Sequence, residues 1–420
     1  MSRVTSPSST SAARDGTSGP RPLLAAVVLV LVAANLRAAI VAISPLLPEI
    51  RSATGLSSTL AGLLTTLPVA CFGVFAFVTP RLTARLGRER LLVGVLALLT
   101  AAICLRLAPG NISLFVGTTV AGAAIAVGNV VLPGIIKRDF PEHVALMTGL
   151  YATALTAGAG LSAGLTVPLG HATGLGWRGL LALCAIPVAL ALVVALPLVR
   201  ATDRPARDAT PAPARAMWRD RVALLVTSYM GVQSLVFYGS VAWLPSLFQS
   251  YRVSASAAGW LVSYSGFVSI PSALATPLVG RRMRSEGPLV AAAAVLGALG
   301  VLALLVDPNG LAIPAMTALG LGSGSSLSLA LGFIAKRGHD AHRVSQLSTI
   351  AQGGGYVLAA LGPLALGAIH QATGAWTLPL VVLGVLVLLE IPAGIAASRD
   401  RFVSAPQWNG ATGAPATGPA

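Results

Sequence analysis

Arg37 stands deep inside an apolar stretch, about 15 residues from its start, or roughly 22 Å along a helix. A guanidinium at that depth costs at least ~2.5 kcal/mol to insert. No acid lies within the stretch to repay it. One reading is a fixed positive charge that holds an anion; the other is a side chain that snorkels outward or bonds a backbone carbonyl. Asn35 is two positions earlier, about 200° around a regular helix. The two cannot both face a pore unless the helix is interrupted, so one of them contacts a neighbouring helix.

Other polar groups sit at comparable depth. The stretch 222–248 carries Gln233, Tyr238 and Trp243. Gln233 and Ser240 are seven apart and share a face, whereas Tyr238 shares another with Ser234. Trp243, near the stretch's outer end, suits an interfacial belt. Ser345, Ser348, Gln352 and Tyr356 follow spacings of three, four and four, which makes a polar stripe. Such a stripe points to protein or water, and bonding between helices is its plainer role. Asn129 is similar, with Pro133 one turn on as an expected kink. Arg106, at an outer end, either steers anions or snorkels.

Hydrolytic and redox chemistry finds no support. No apolar stretch holds a Ser/His/Asp set, a His pair or a carboxylate dyad. Lys137 follows Ile136 and Lys336 follows Ala335, so neither belongs to an ATP-binding loop. Cys71, Cys104 and Cys184 lack metal or redox spacing. The expectation is no enzyme, no cofactor, no metal and no ATP. Among the 13 acids only Glu390 falls clearly inside a stretch, and it reads as lying near the stretch's cytoplasmic end. A lone positive charge is therefore expected in the cavity. It favours an anionic or neutral polar solute, with any proton coupling riding on the solute or on Glu49.

The elements that must position these residues follow from composition. Of 420 residues, 55% are hydrophobic and 10% charged, against about 25% charged in a soluble domain. The mean hydropathy is +0.81, so this chain needs lipid as its solvent. Twelve spans are expected near 22–44, 58–80, 91–108, 113–136, 144–170, 178–199, 222–248, 257–280, 288–306, 311–335, 344–369 and 377–397. The net charge of +15 does not mark a nucleic-acid surface, because it lies in short clusters between spans. Threading the spans puts 23 of the 28 Lys and Arg on the side of the N-terminus. Arg51, Arg106, Arg178 and Arg252 fall on the other side, and Arg37 lies within. That bias predicts a multi-pass inner-membrane protein with both termini cytoplasmic.

The second half repeats the first. IIKRDFPEH (135–143) faces FIAKRGHDAH (333–342), with Lys137 over Lys336 and Arg138 over Arg337 at a shift of 199. HATGLGW (171–177) faces HQATGAW (370–376), and Pro45 faces Pro245. TPRLTARLGRE (79–89) faces TPLVGRRMRSE (276–286). The expected fold is an all-α membrane protein of two six-helix bundles, 22–199 and 221–397, related by a pseudo-two-fold repeat. A cytoplasmic linker is expected over 200–220, with disordered tails over 1–21 and 398–420. A parallel six-plus-six repeat is the architecture of major facilitator transporters, in which two bundles rock about a central site.

Particular strings carry a resemblance. NLRAAIVAISPLLPEI (35–50), AGLLTTLPVACFGVFA (61–76), GNVVLPGIIKRDFPEH (128–143), MTGLYATAL (147–155) and GVQSLVFYGSVAWLPSLF (231–248) look like the cyanate/2-nitroimidazole transporter (CynX/NimT) family. This is a branch of the major facilitator superfamily. Arg85, Gly87, Arg88 and Arg90 fit that superfamily's loop motif after the second span, which departs at Pro80 and Ala84. The resemblance implies alternating-access transport of small anions or nitro-aromatic compounds by a protein expected to be monomeric. Solute-binding candidates are Arg37, Asn35, Asn129, Gln233, Tyr238, Gln352 and Tyr356. Candidates for gating or coupling are Glu49, Arg106, Arg85, Arg88, Lys137, Arg138, Lys336 and Arg337. Efflux of neutral aromatic compounds, with Phe237, Tyr238 and Tyr356 as a stacking surface, is the competing expectation. A channel or a non-transporting receptor is a more distant one.

Overall fold

The structure, a computed structural model, describes residues 21–56, 58–200 and 214–403. The expected tails and linker lie largely outside the described residues, apart from a short 3-10 turn at Ala214–Arg219 and residues 398–403, which are ordered against Arg337 and His339. Regular structure among the described residues is helical throughout.

The first span is α1 (Arg21–Val41) with α2 (Ile43–Thr54), and the second is α3 (Ser58–Ala76) with α4 (Thr79–Leu86). Spans three to five are α5 (Arg88–Leu105), α6 (Asn111–Asp139) and α7 (Val144–Thr173). The sixth is α8 (Trp177–Leu183) with α9 (Ala185–Arg200). The second half supplies α10 (Arg221–Ser250), α11 (Ala255–Gly280), α12 (Gly287–Val306), α13 (Ala312–Lys336), α14 (Ala341–Thr373) and α15 (Thr377–Ser398). Among the described residues ten spans are long and apolar enough to cross a membrane as they stand, and α3 with α4 makes an eleventh bent by 59°. The twelfth expected span, α5, opens with Arg88, Glu89 and Arg90, so three charges fall within its 18 residues. With α5 counted as a crossing the number is even and both described ends lie on one face, the terminal face.

Local chemistry explains the breaks. Pro45 has no N–H for the Val41 carbonyl, and the first span breaks one residue later, at Ala42. The repeated strings at 171–177 and 370–376 are helix stops. Gly174 ends α7 with φ 64°, Gly374 ends α14 with φ 66°, and each bonds back to the carbonyl four residues earlier. Only glycine takes that left-handed geometry without strain.

Within the first half α1 packs on α7 and α9, and α6 on α3 and α5; within the second, α13 packs on α11 and α12, and α10 on α14 and α15. The halves meet along α7–α11 and α3–α14. These seams, fifth span on eighth and second on eleventh, exchange under the repeat. Large apolar side chains such as Val74, Ile186, Val306 and Leu364 are exposed on the outer surface, where lipid replaces water.

Candidate functional site

The two halves also touch toward the terminal face. There α14 runs against α6 and α13 against α7. Pro133, having no N–H, leaves the Asn129 carbonyl without its helical partner. Gln352 of the other half fills the vacancy, its Nε2 donating at 2.7 Å. The same Nε2 reaches Ser348 Oγ at 2.8 Å. The side chain of Asn129 turns within its own half, where the Tyr151 hydroxyl donates to Oδ1 at 3.1 Å. Asn129 and Gln352 thus meet as a clasp between halves. Its loss should cost about 1 kcal/mol, a roughly fivefold change in the balance of open and closed forms. Spin labels at the terminal ends of α6 and α14 should report a longer-distance population in Gln352→Ala. An unaltered distance distribution would remove the clasp role.

Beyond the clasp, at mid-depth and toward the opposite face, lies a cavity with about 950 Å³ of empty space, the solvent at its mouth included. Its walls come from both halves, with Arg37, Thr156 and Ala163 on one side and Gln233, Phe237, Ser263, Ser323, Ser326 and Glu390 on the other. Arg37 and Glu390 are the charged residues among the lining. Arg37 is buried, and its guanidinium carbon sits 4.4 Å from the centre of the Phe237 ring. Tyr238 and Tyr356 both interact with it. Their rings stand 6.3 Å apart; Phe237 packs edge-on to Tyr238 at 5.1 Å, and Phe72 lies 5.1 Å from Tyr356. Arg37 makes no ion pair among the described residues. A cation held by aromatic faces and phenols, without an acid, keeps its charge available for a ligand.

Position 37 has a structural counterpart. At the repeat shift of 200 seen at Pro45 and Pro245, Arg37 pairs with Phe237, the ring beneath it. Equivalent residues therefore meet at the axis between the halves.

The structure separates the other candidates. Gln233 lines the cavity and donates to Ser234 Oγ at 2.7 Å. Asn35 turns away, its Nδ2 on the carbonyls of Leu31 (2.8 Å) and Pro187 (3.2 Å). Arg106 is fully buried, not poised at the surface to steer anions. Its Nη1 donates at 2.9 Å to the Ala39 carbonyl, beside the break in the first span. Breaking that helix leaves carbonyls to satisfy, and this is the position Arg106 takes. Glu49 lies across the membrane from the terminal face, and its Oε1 accepts from the N–H of Trp177 at 3.1 Å. Trp243 is not a free interfacial belt residue: Nε1 donates to the Pro363 carbonyl at 2.7 Å.

The remaining basic candidates cluster on the terminal face. Arg85 is exposed and Lys137 half-buried. Arg88 Nη2 donates across the halves to the Ala341 carbonyl at 3.3 Å. Arg138 pairs with Glu89 and Asp139, each at 2.5 Å, and Lys336 with Glu286 at 2.5 Å. Glu89 and Glu286 are aligned in the repeat, so each half uses one cation of its Lys-Arg pair on the matching acid. Arg337 is buried and holds the Ser398 carbonyl at 2.7 Å and Asp400 at 3.0 Å.

The expectation of a cavity without acids is overturned by Glu390. It is 3% exposed, and Ser326 Oγ donates to its Oε2 at 2.5 Å. Its place in α15 is a cavity wall, not a helix end. The signal was present, since a single carboxylate inside a span is itself a functional flag. Tyr151, the partner of Asn129, was also passed over.

Long apolar helices in two halves, around a cavity that both halves line, define the frame of a membrane carrier. The model of the Major Facilitator Superfamily matches residues 25–360. The chain is 38% identical to the 2-nitroimidazole transporter of Escherichia coli, over 89% of this chain and 95% of that one. It is 27% identical to the cyanate transport protein CynX of Escherichia coli, over 86% and 95%. Its fold matches that of the proton:xylose symporter XylE, with a TM-score of 0.73 at 13% identity over 88% of this chain and 94% of the other. The chain belongs to the Major Facilitator Superfamily, in the branch of the cyanate and 2-nitroimidazole transporters.

Proposed function

We propose that this secondary transporter moves a small anion of cyanate-like charge and size by alternating access, with Arg37 as the counter-charge. The observation that carries this reading is the arginine itself, which lines the cavity without an acid partner among the described residues. An anion seated there would exchange its water shell for a guanidinium and two phenol hydroxyls. The positive-inside bias supports a terminal face in the cytoplasm and a position in the inner membrane. The ion pairs of that face and the Asn129–Gln352 clasp would close the cytoplasmic side, while a monomer moves the solute. The 2-nitroimidazole relative and the rings of Phe237, Tyr238 and Tyr356 favour a second reading, transport of a flat neutral aromatic solute.

Thermal unfolding of the purified protein against small anions and nitro-aromatics separates the two. Cyanate is expected to raise the melting temperature of wild type but not of Arg37→Ala. Stabilisation by 2-nitroimidazole alone, equal in both proteins, would favour the second reading.

A further inference from the structure

Glu390 has no role in that scheme, yet its surroundings are unusual for a carboxylate. It is buried in α15, which packs on α10, α12, α13 and α14. No cation faces it. From α13 comes Ser326, its hydrogen-bond donor, and the one basic group of that helix, Lys336, is held by Glu286 at the terminal end. From α10 comes Tyr229, whose ring lies against Gly394, one turn beyond Glu390. The Tyr229 hydroxyl is buried beside Ser326 and Glu390. The residues of α12 include no ionisable group. On α14 the ionisable Tyr356 is engaged with Arg37, and His342, Arg343 and His370 lie at its ends. A carboxylate so enclosed either carries its charge with no cation in contact or takes up a proton. It also lines the cavity that holds Arg37, so protons and solute reach it by one route.

Charge bookkeeping links the two residues. An empty cavity with Arg37 cationic and Glu390 ionised is neutral. A cavity with a bound anion, Arg37 cationic and Glu390 protonated is neutral as well. The two mixed states, anion without proton and proton without anion, each carry one net charge through the bilayer's low-dielectric centre. Moving that charge also works against a membrane potential, at ~2.3 kcal/mol per 100 mV.

We propose that Glu390 is a proton-binding site and that the carrier moves one proton with each anion, electroneutrally, because only the empty cavity and the doubly loaded one are free of net charge. The coupling rests on the anion reading above; the proton site does not. In balance, one proton and one anion enter from one side and both leave on the other, with no bond made to the solute.

The first test needs no solute. Infrared pH-titration of the full-length protein in lipid is expected to show a carboxylic acid C=O band that is missing in Glu390→Gln. In Ser326→Ala, which removes the donor to the ionised form, the band should persist to higher pH. Spectra that do not differ between wild type and Glu390→Gln overturn the proton site, with the Ser326→Ala titration deciding if the Gln variant fails to fold.

The second test is cyanate accumulation in proteoliposomes. One unit of pH difference should drive about tenfold accumulation at equilibrium. Clamping the membrane potential should leave that figure unchanged, and Glu390→Gln should bring the ratio with and without the gradient to one. Accumulation that ignores pH, or follows the potential, overturns the coupling. If cyanate does not move at all while the Glu390 band titrates, the anion reading and the coupling both fail and the proton site stands.

Discussion

Arg37→Ala is expected to lower cyanate uptake into vesicles by about a hundredfold, with little change in the uptake of an uncharged nitro-aromatic. Removing one member of a buried, hydrogen-bonded charge pair costs 2–5 kcal/mol, much of it from leaving the other charge without a partner. A value of ~3 kcal/mol corresponds to the hundredfold loss. The bound anion is that other charge, because no acid pairs with Arg37 among the described residues. Arg37→Lys should recover part of the activity. Lysine keeps the charge but loses the flat group that lies over Phe237 while meeting Tyr238 and Tyr356. Equal loss for charged and uncharged solutes would point to damaged folding, which a melting curve checks. Cyanate uptake at the wild-type rate would end the counter-charge reading.

The second large effect concerns stability. Gly158→Ala is expected to destabilise the protein by about 3 kcal/mol, near the upper end for overpacking a tight interface. A Cβ at 158 would stand 2.7 Å from the carbonyl carbon of Ala34 in α1 and closer still to its oxygen. The obstacle is backbone, so no rotamer relieves it and α1 must move off α7. Ala34 is one turn from Arg37, so the same shift should drag the cation from its place over Phe237. Gly94 in α5 makes a matched control, since a Cβ there meets nothing within 4 Å. Gly94→Ala should be neutral or stabilising by roughly 0.5–1 kcal/mol, as usual inside an exposed helix. Melting curves of the two variants should therefore move apart; curves that coincide would discard the close-approach argument.

Much of this was legible in the chain. Lipid as solvent forces long apolar helices, so the spans could be read from composition and length alone. The repeat could be read because helix stops and basic clusters recur at a fixed shift, and Gly174 and Gly374 show the physical reason. Arg37 stood out because a charge in a span is costly. What stayed hidden depends on which face a residue presents and on what the backbone leaves unsatisfied. Glu390 was assigned to a helix end because sequence position gives neither depth nor facing. Arg106 was read as a surface group because nothing local shows that the first span's break leaves Ala39 to be met from 67 residues away. Gln352 and Asn129 are 223 residues apart. The only local hint was Pro133, four residues after the carbonyl that it strips of a partner.

The meeting of Arg37 with Phe237 constrains how such a molecule can descend from a duplicated half. Two identical halves bring every axial residue face to face with its own copy. Arginine at both positions would set two guanidinium groups about 4 Å apart, repelling by ~4 kcal/mol at an effective dielectric of 20. A charge on the axis therefore costs less in one copy, opposite a residue in the other that tolerates a cation. An aromatic ring does so with its electron-rich face. Divergence at this pair removes that repulsion and leaves one charge on the axis.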